Sequence, residues 1–126
     1  MNCKSIIKGF AKGIVLKTER PINLLMLNDN GILNDAAHIL NGKSVANRVL
    51  VFPYAVGSSV GAYRLYNLRV NKNAPNAIIC LKPDLITVSG CAIANIPLVV
   101  CSLEDFKMIK DGIEISVDAD KGEILF

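Results

Sequence analysis

The 126-residue sequence predicts a β-rich α/β domain that mixes parallel and antiparallel strand pairs. Three observations point there. Val49–Phe52, Ala77–Leu81 and Leu98–Cys101 are short continuous apolar runs, as expected of strands covered on both faces. A helical pattern, Ala62–Leu68, lies between the first two, which makes a β-α-β unit with a right-handed crossover. Ile113-Glu114-Ile115-Ser116-Val117 alternates apolar and polar residues, as a half-exposed strand does, and Ala119-Asp120-Lys121-Gly122 turns it back into Glu123–Phe126.

The remaining elements follow in order. Between Lys4 and Lys17, Ile6, Phe10, Ile14 and Leu16 share one parity with Lys4, Lys8 and Lys12. Gly9 and Gly13 argue against a helix, so this stretch is one long bent strand or two short ones. Pro21 breaks the chain, Ile22–Leu27 reads as another strand, and Asn28-Asp29-Asn30-Gly31 is a turn. Residues 32–46 are mostly irregular, with a second turn at Asn41-Gly42. The helix after Ser59 runs to about Val70 and is ended by Asn71–Pro75. Asp84 is an N-cap that opens a short helix. That segment passes into Ser89–Ala94, whose small residues allow close packing. Glu104–Lys110 is a further short helix. No repeat, low-complexity segment or linker interrupts residues 1–126, which are read as a single domain large enough to bury a core.

Composition narrows the function. The chain carries 14 Lys and Arg against 11 Asp and Glu, a net charge of +3. Its basic residues are scattered without interleaved aromatics, so a nucleic-acid partner is not expected. No apolar stretch approaches the roughly 20 residues of a membrane span, and no signal-peptide core follows Lys4. Mean hydropathy is +0.40, more apolar than a solitary domain requires, which suggests a covered surface. Cys3, Cys80, Cys91 and Cys101 are irregularly spaced, with no C-x-x-C pair, and the single histidine excludes a His-rich site. No metal site is therefore assigned to this chain. Cys80 and Cys101 read as small buried hydrophobes, and a reducing, cytoplasmic location fits best.

The run Val49-Leu50-Val51-Phe52-Pro53-Tyr54-Ala55-Val56-Gly57-Ser58-Ser59-Val60-Gly61 carries the chemistry. A buried strand enters a turn, the turn delivers two adjacent hydroxyls, and a helix begins. Unpaired N–H groups and the helix dipole make that end suited to a carboxylate or phosphate. They also favour the anionic form of a serine oxygen acting as base or nucleophile. Alternatively, Ser58 or Ser59 is simply an N-cap, worth about 1 kcal/mol.

Three stretches together resemble the small subunit of the aconitase X family, over roughly residues 6–118. They are Gly31–Gly42 (with Asp35, His38 and Leu40), then Val49–Pro53 through Gly57-Ser58-Ser59 and on to Leu65–Leu68 and Ala74–Ile79, and finally Gly90–Val99. The resemblance implies the swivelling β/β/α domain of the aconitase superfamily. In that superfamily the domain closes over an iron–sulfur cluster, expected to be of the [4Fe-4S] type, held by the larger part of the enzyme. Here the cluster would sit on a large subunit, in a heterodimer that is active only when assembled, with this chain binding none itself. Ser58 is then the proton acceptor of a dehydration, with Gly57 and Ser59 in contact with substrate. Iron acts on the leaving hydroxyl as a Lewis acid. In the archaeal branch of the family the substrate is (R)-5-phosphomevalonate and the product trans-anhydromevalonate 5-phosphate, in isoprenoid synthesis. Val60 stands where aconitases proper carry an arginine, which argues against a tricarboxylic acid. Two alternatives stand: a dehydratase subunit for another small hydroxy acid such as cis-3-hydroxyproline, and a non-catalytic anion-binding module.

Asp35 and His38 are spaced to share a polar network that supports the site. Against that, His38 reads as a structural histidine bonded to backbone, and Asp35 as a turn or cap residue. Arg48, ahead of a buried strand, reads as a salt-bridge or interface residue. Arg64, six residues on from Ser58, should point away from it, so the cations of the site are expected from the large subunit.

Overall fold

The computed structural model describes residues 1–126. Nine strands and three helices alternate along the chain: β1 (Lys4–Ile7), β2 (Phe10–Lys17), β3 (Ile22–Asn23), β4 (Val49–Val51), β5 (Ala55–Val56), α1 (Gly61–Val70), β6 (Ala77–Cys80), α2 (Leu85–Ala94), β7 (Leu98–Val100), α3 (Leu103–Met108), β8 (Glu114–Asp118) and β9 (Glu123–Leu125). Seven strands form one sheet in the order β1-β7-β6-β4-β2-β8-β9, and β3 pairs with β5 in a second, two-stranded sheet. The centre is parallel (β7, β6, β4 and β2). The flanks, β1 on β7, β8 on β2 and β9 on β8, are antiparallel. This is the mixed α/β class expected.

The long sheet closes on itself. Asn2, just ahead of β1, bridges to Glu123 in β9. The Cys3 N–H donates to the Gly122 carbonyl at 2.9 Å and the Ile124 N–H to the Met1 carbonyl at 2.8 Å. The segment leading into β1 thereby meets β9, which covers part of the two edges.

The period-two alternation of strand side chains sorts the apolar residues into two cores. Val15, Val49, Val51, Ala77, Ile79, Val99, Ile115, Val117 and Ile124 face inward, and α3 adds Phe106 beside them. The intervening residues, Leu16, Leu50, Ile78 and Leu98, face outward beneath α1 and α2 with Leu65, Leu68, Cys91 and Ala94. The apolar runs were continuous because both faces of these strands are covered. The sheet folded over itself with helices on one side is the β/β/α arrangement. Lys17 fastens α3, its Nζ donating to the carbonyls of Phe106 at 2.6 Å and Ile109 at 2.7 Å.

Four local readings change. The strand expected over Ile22–Leu27 stops at Asn23, because the Asn23 side chain accepts from the Leu25 N–H at 3.2 Å and opens a 3-10 turn over Leu24–Met26. The Tyr54–Val56 part of the serine turn holds a strand, β5, in parallel register with β3. The helix after Asp84 is ten residues long and passes straight through Gly90. Arg48 forms no salt bridge: its guanidinium donates to the β2 carbonyls of Ile14 and Val15, each at 3.0 Å. Two strands replace the single bent one between Lys4 and Lys17, which was one of the two forms expected.

Gly90 sets how closely α1 and α2 approach. A Cβ there would lie 2.8 Å from Leu65 Cδ1 and 3.1 Å from the Ala62 carbonyl oxygen. Gly90→Val is therefore expected to destabilise the chain by about 1–3 kcal/mol, the usual cost of over-packing. A lowered urea midpoint at unchanged slope would show it.

Candidate active site

The parallel strands end at one edge, and the loops that follow them form the surface where α/β sheets bind ligands. β4 ends at Val51, and the chain runs through Phe52 and Pro53 into β5 and then the turn Gly57-Ser58-Ser59. The Ser58 carbonyl accepts from the Gly61 N–H at 3.0 Å and the Ser59 carbonyl from the Ala62 N–H at 3.1 Å, which starts α1. Ser58 Oγ accepts from the Val60 N–H at 3.2 Å. The cap position itself falls on Val60, which offers no side-chain cap bond. Neither serine is thus an N-cap of the ordinary kind. Ser58 instead holds an amide donor against its hydroxyl oxygen in a local serine turn.

Gly57 makes this turn possible. Its φ is +94°, and a Cβ there would sit 2.7 Å from Asn23 Oδ1. The Asn23 side chain packs beneath the turn because β3 and β5 pair Asn23 with Val56. Gly57→Ala combines that contact with about 1–2 kcal/mol of left-handed strain. If the turn is catalytic, it is expected to lower turnover about tenfold or more. The double variant Asn23→Ala/Gly57→Ala, which removes the contact but not the strain, should recover part of that loss in a kcat measurement.

Ser59 is exposed and borders a groove of about 250 Å³ between α1 and α2, lined also by Ala62, Tyr63, Leu85, Ile86 and Ser89. The rim is apolar and open: Tyr63 is 63% exposed and Leu85 76%. Val56 and Val60 continue it on either side of the serines.

Asp35 and His38 do not share a network. His38 Nδ1 accepts from the Leu40 N–H at 3.0 Å, and Nε2 lies 3.1 Å from the Pro21 carbonyl, to which it donates in the tautomer this pattern requires. Both ring nitrogens are thereby bound to backbone. Asp35 Oδ1 accepts from the Ala37 N–H at 3.3 Å, a turn contact. Neither side chain bonds to the serine turn. Arg64 is turned to Asp29, its Nη1 donating to Oδ1 at 3.0 Å.

No three His, Cys, Asp or Glu side chains come together as a metal-binding group. Cys80 and Cys91 are fully buried in the outer core. Burial pushes the Cys80 and Cys91 thiols well up and raises Cys101 to about 11. Neutral thiols in apolar packing are poor ligands.

Sequence reading identified Asp84 as a helix cap but missed its second role. Asp84 Oδ1 accepts from the Thr87 N–H at 2.9 Å, and Oδ2 accepts from the Ala55 N–H at 3.0 Å, three residues before Ser58. Its partner lies 29 residues away in sequence, and no local signal announces the contact. Asn23 was missed for a similar reason, since it was read as one position in a longer strand.

Comparison with known proteins places this geometry. The family model of the aconitase X swivel domain matches residues 1–126. The phosphomevalonate dehydratase small subunit of Methanothermobacter thermautotrophicus is 37% identical over 129 residues, covering 100% of this chain and 98% of that protein. The protein of the same name from Archaeoglobus fulgidus is 42% identical over 125 residues, covering 97% and 94%. The crystal structure of Thermococcus kodakaraensis aconitase X in its holo-form superposes with a TM-score of 0.91 at 37% identity, covering 98% of this chain and 95% of that one.

Proposed function

The chain belongs to the aconitase X swivel-domain family, and we propose that it is the small subunit of a two-chain hydro-lyase that dehydrates (R)-5-phosphomevalonate to trans-anhydromevalonate 5-phosphate. The observation that carries this reading is the likeness, over nearly the full length, to proteins named phosphomevalonate dehydratase small subunit. A small subunit implies a large one, and the open apolar rim around the serine turn is a surface such a partner would cover.

Within that assembly, Ser58 is assigned as the base. Its Oγ takes the proton from the carbon next to the substrate carboxylate, the bond to the β-hydroxyl breaks, and the electron pair of the C–H bond forms the new double bond. The hydroxide leaves as water on taking up one proton, and Ser58 gives up the proton it received to return to its anionic form, so that the net change is loss of one water. The Val60 N–H stabilises the serine oxygen in its anionic form, and the dipole of the ten-residue α1 acts in the same sense. Gly57 supplies the positive φ that the turn requires, and its exposed backbone is assigned to substrate contact. Ser59, exposed beside it, is assigned to substrate contact.

Aconitase kinship implies an iron–sulfur cluster, and the residues of this chain do not fit one: the cysteines are dispersed and three are buried. The cluster is accordingly assigned to the large subunit, and no step given to this chain passes through it.

The test is turnover by the complex co-expressed anaerobically with the large subunit encoded in the same genome. Loss of one water from (R)-5-phosphomevalonate is the expected result. An assembled, cluster-loaded complex that ignores this substrate and dehydrates cis-3-hydroxyproline would move the chain to the other branch of the reaction class. No assembly at all would favour a stand-alone anion-binding module.

A further inference from the structure

We propose that Asp84 is a positioning residue for the catalytic turn: its carboxylate fixes the peptide segment that delivers Ser58, relative to the N-terminus of α2. This rests on the assignment of Ser58 as the proton acceptor.

A helix cap needs one side-chain oxygen, and serine or asparagine supplies it as well as aspartate. Asp84 uses both of its oxygens. Oδ1 caps α2 through the Thr87 N–H at 2.9 Å, and Oδ2 reaches across to the Ala55 N–H at 3.0 Å. The second bond requires a carboxylate, because the amide nitrogen of an asparagine holding the cap would face the Ala55 N–H as donor against donor. A charge-assisted bond of this kind is also about twice as strong as a neutral one.

The rest of the 81–84 loop grips the same stretch. The Leu81 and Lys82 N–H groups both donate to the Pro53 carbonyl, at 3.0 and 3.2 Å, and Lys82 Nζ lies 5.0 Å from the centroid of the Tyr54 ring. On its other side β5 is held by β3, which pairs Ile22 with Ala55 and Asn23 with Val56. Asp84 supplies the last anchor from the 81–84 loop before the chain leaves β5 for Gly57 and Ser58. Beyond it the turn is exposed and carries only its own short-range bonds. The Oγ position is thus set by how Ala55 and Val56 are held, by Asp84 on one side and β3 on the other.

The experiment uses the two-subunit complex with (R)-5-phosphomevalonate, comparing Asp84→Asn, Asp84→Ser and, in parallel, Ser58→Ala. Both Asp84 variants keep a cap for α2 and lose the bond to Ala55. They are expected to assemble and to melt only a few degrees below the wild type while kcat falls about 10- to 100-fold, the cost of misplacing a reacting group by up to an ångström, with KM little changed. Wild-type kcat in both variants overturns the proposal. So does a kcat loss that tracks a loss of melting temperature or assembly and recovers on cooling, since that marks a brace for the fold alone. Near wild-type turnover in Ser58→Ala would instead overturn the assignment of the base, and this inference with it. An inactive Ser58→Ala together with unaffected Asp84 variants removes only the role of Asp84.

Discussion

Replacing Ser58 with alanine is expected to lower turnover of the assembled enzyme by about 10²- to 10⁴-fold, the span that a positioned general base contributes. The size of the effect follows from what the turn does. A serine hydroxyl in water is far too weak a base to take a proton from carbon, so its reactivity depends on how well its anion is stabilised. On the proposed role, the Val60 N–H, 3.2 Å from Oγ, and the N-terminal end of α1 would provide that stabilisation. The substitution also removes the acceptor for the Val60 N–H, at a cost of about 1 kcal/mol where the group stays wet. Melting temperature should therefore drop only slightly, and the complex should still assemble. Ser59→Ala is the control: Ser59 makes no side-chain bond within the turn, so its loss is expected mainly to raise KM. A decrease of only a few-fold in Ser58→Ala would reduce Ser58 to a turn-forming residue.

The elements that were legible in the sequence are those whose signal is local. The apolar runs of β4, β6 and β7 announced strands covered on both faces, and two cores do cover them. The alternation in Glu114–Asp118 and the turn after it announced β8 and β9. Asp84 announced the start of α2. What escaped depends on partners far apart in the chain. The closure of the sheet rests on Asn2 meeting Glu123, and β5 is a strand only because β3 lies beside it. At the site, the serine turn stood out as a strand–turn–helix junction with two hydroxyls, whereas its supports, Asn23 and Asp84, act through contacts that no local pattern encodes. Spacing left Asp35 and His38 open between a shared polar network and separate turn and backbone contacts, and the structure shows the second. The backbone groups that occupy them, at Ala37, Leu40 and Pro21, are ones that spacing cannot reveal.

The isolated chain is expected to show no turnover, and activity should appear only on addition of the large subunit. Ser58 stands exposed, so water competes for its oxygen and screens the one amide donor that reaches it. No cation of this chain is bonded to the turn, and the nearest basic residue along α1, Arg64, is engaged by Asp29 at 3.0 Å. Excluding solvent and supplying positive charge are therefore both left to the partner. The apolar rim is where that partner is expected to sit. Leu85 is 76% exposed at the start of α2, so an aspartate there should leave the fold of the isolated chain intact. In the complex the same change would forgo the burial of a leucine, about 1.5–3 kcal/mol, and is expected to weaken association of the subunits by about 10- to 100-fold. Titration of the large subunit with wild-type chain and with Leu85→Asp, read as recovered turnover, measures both effects at once. Undiminished affinity would place the docking surface elsewhere, and turnover by the chain alone would mean that the serine turn completes its own site.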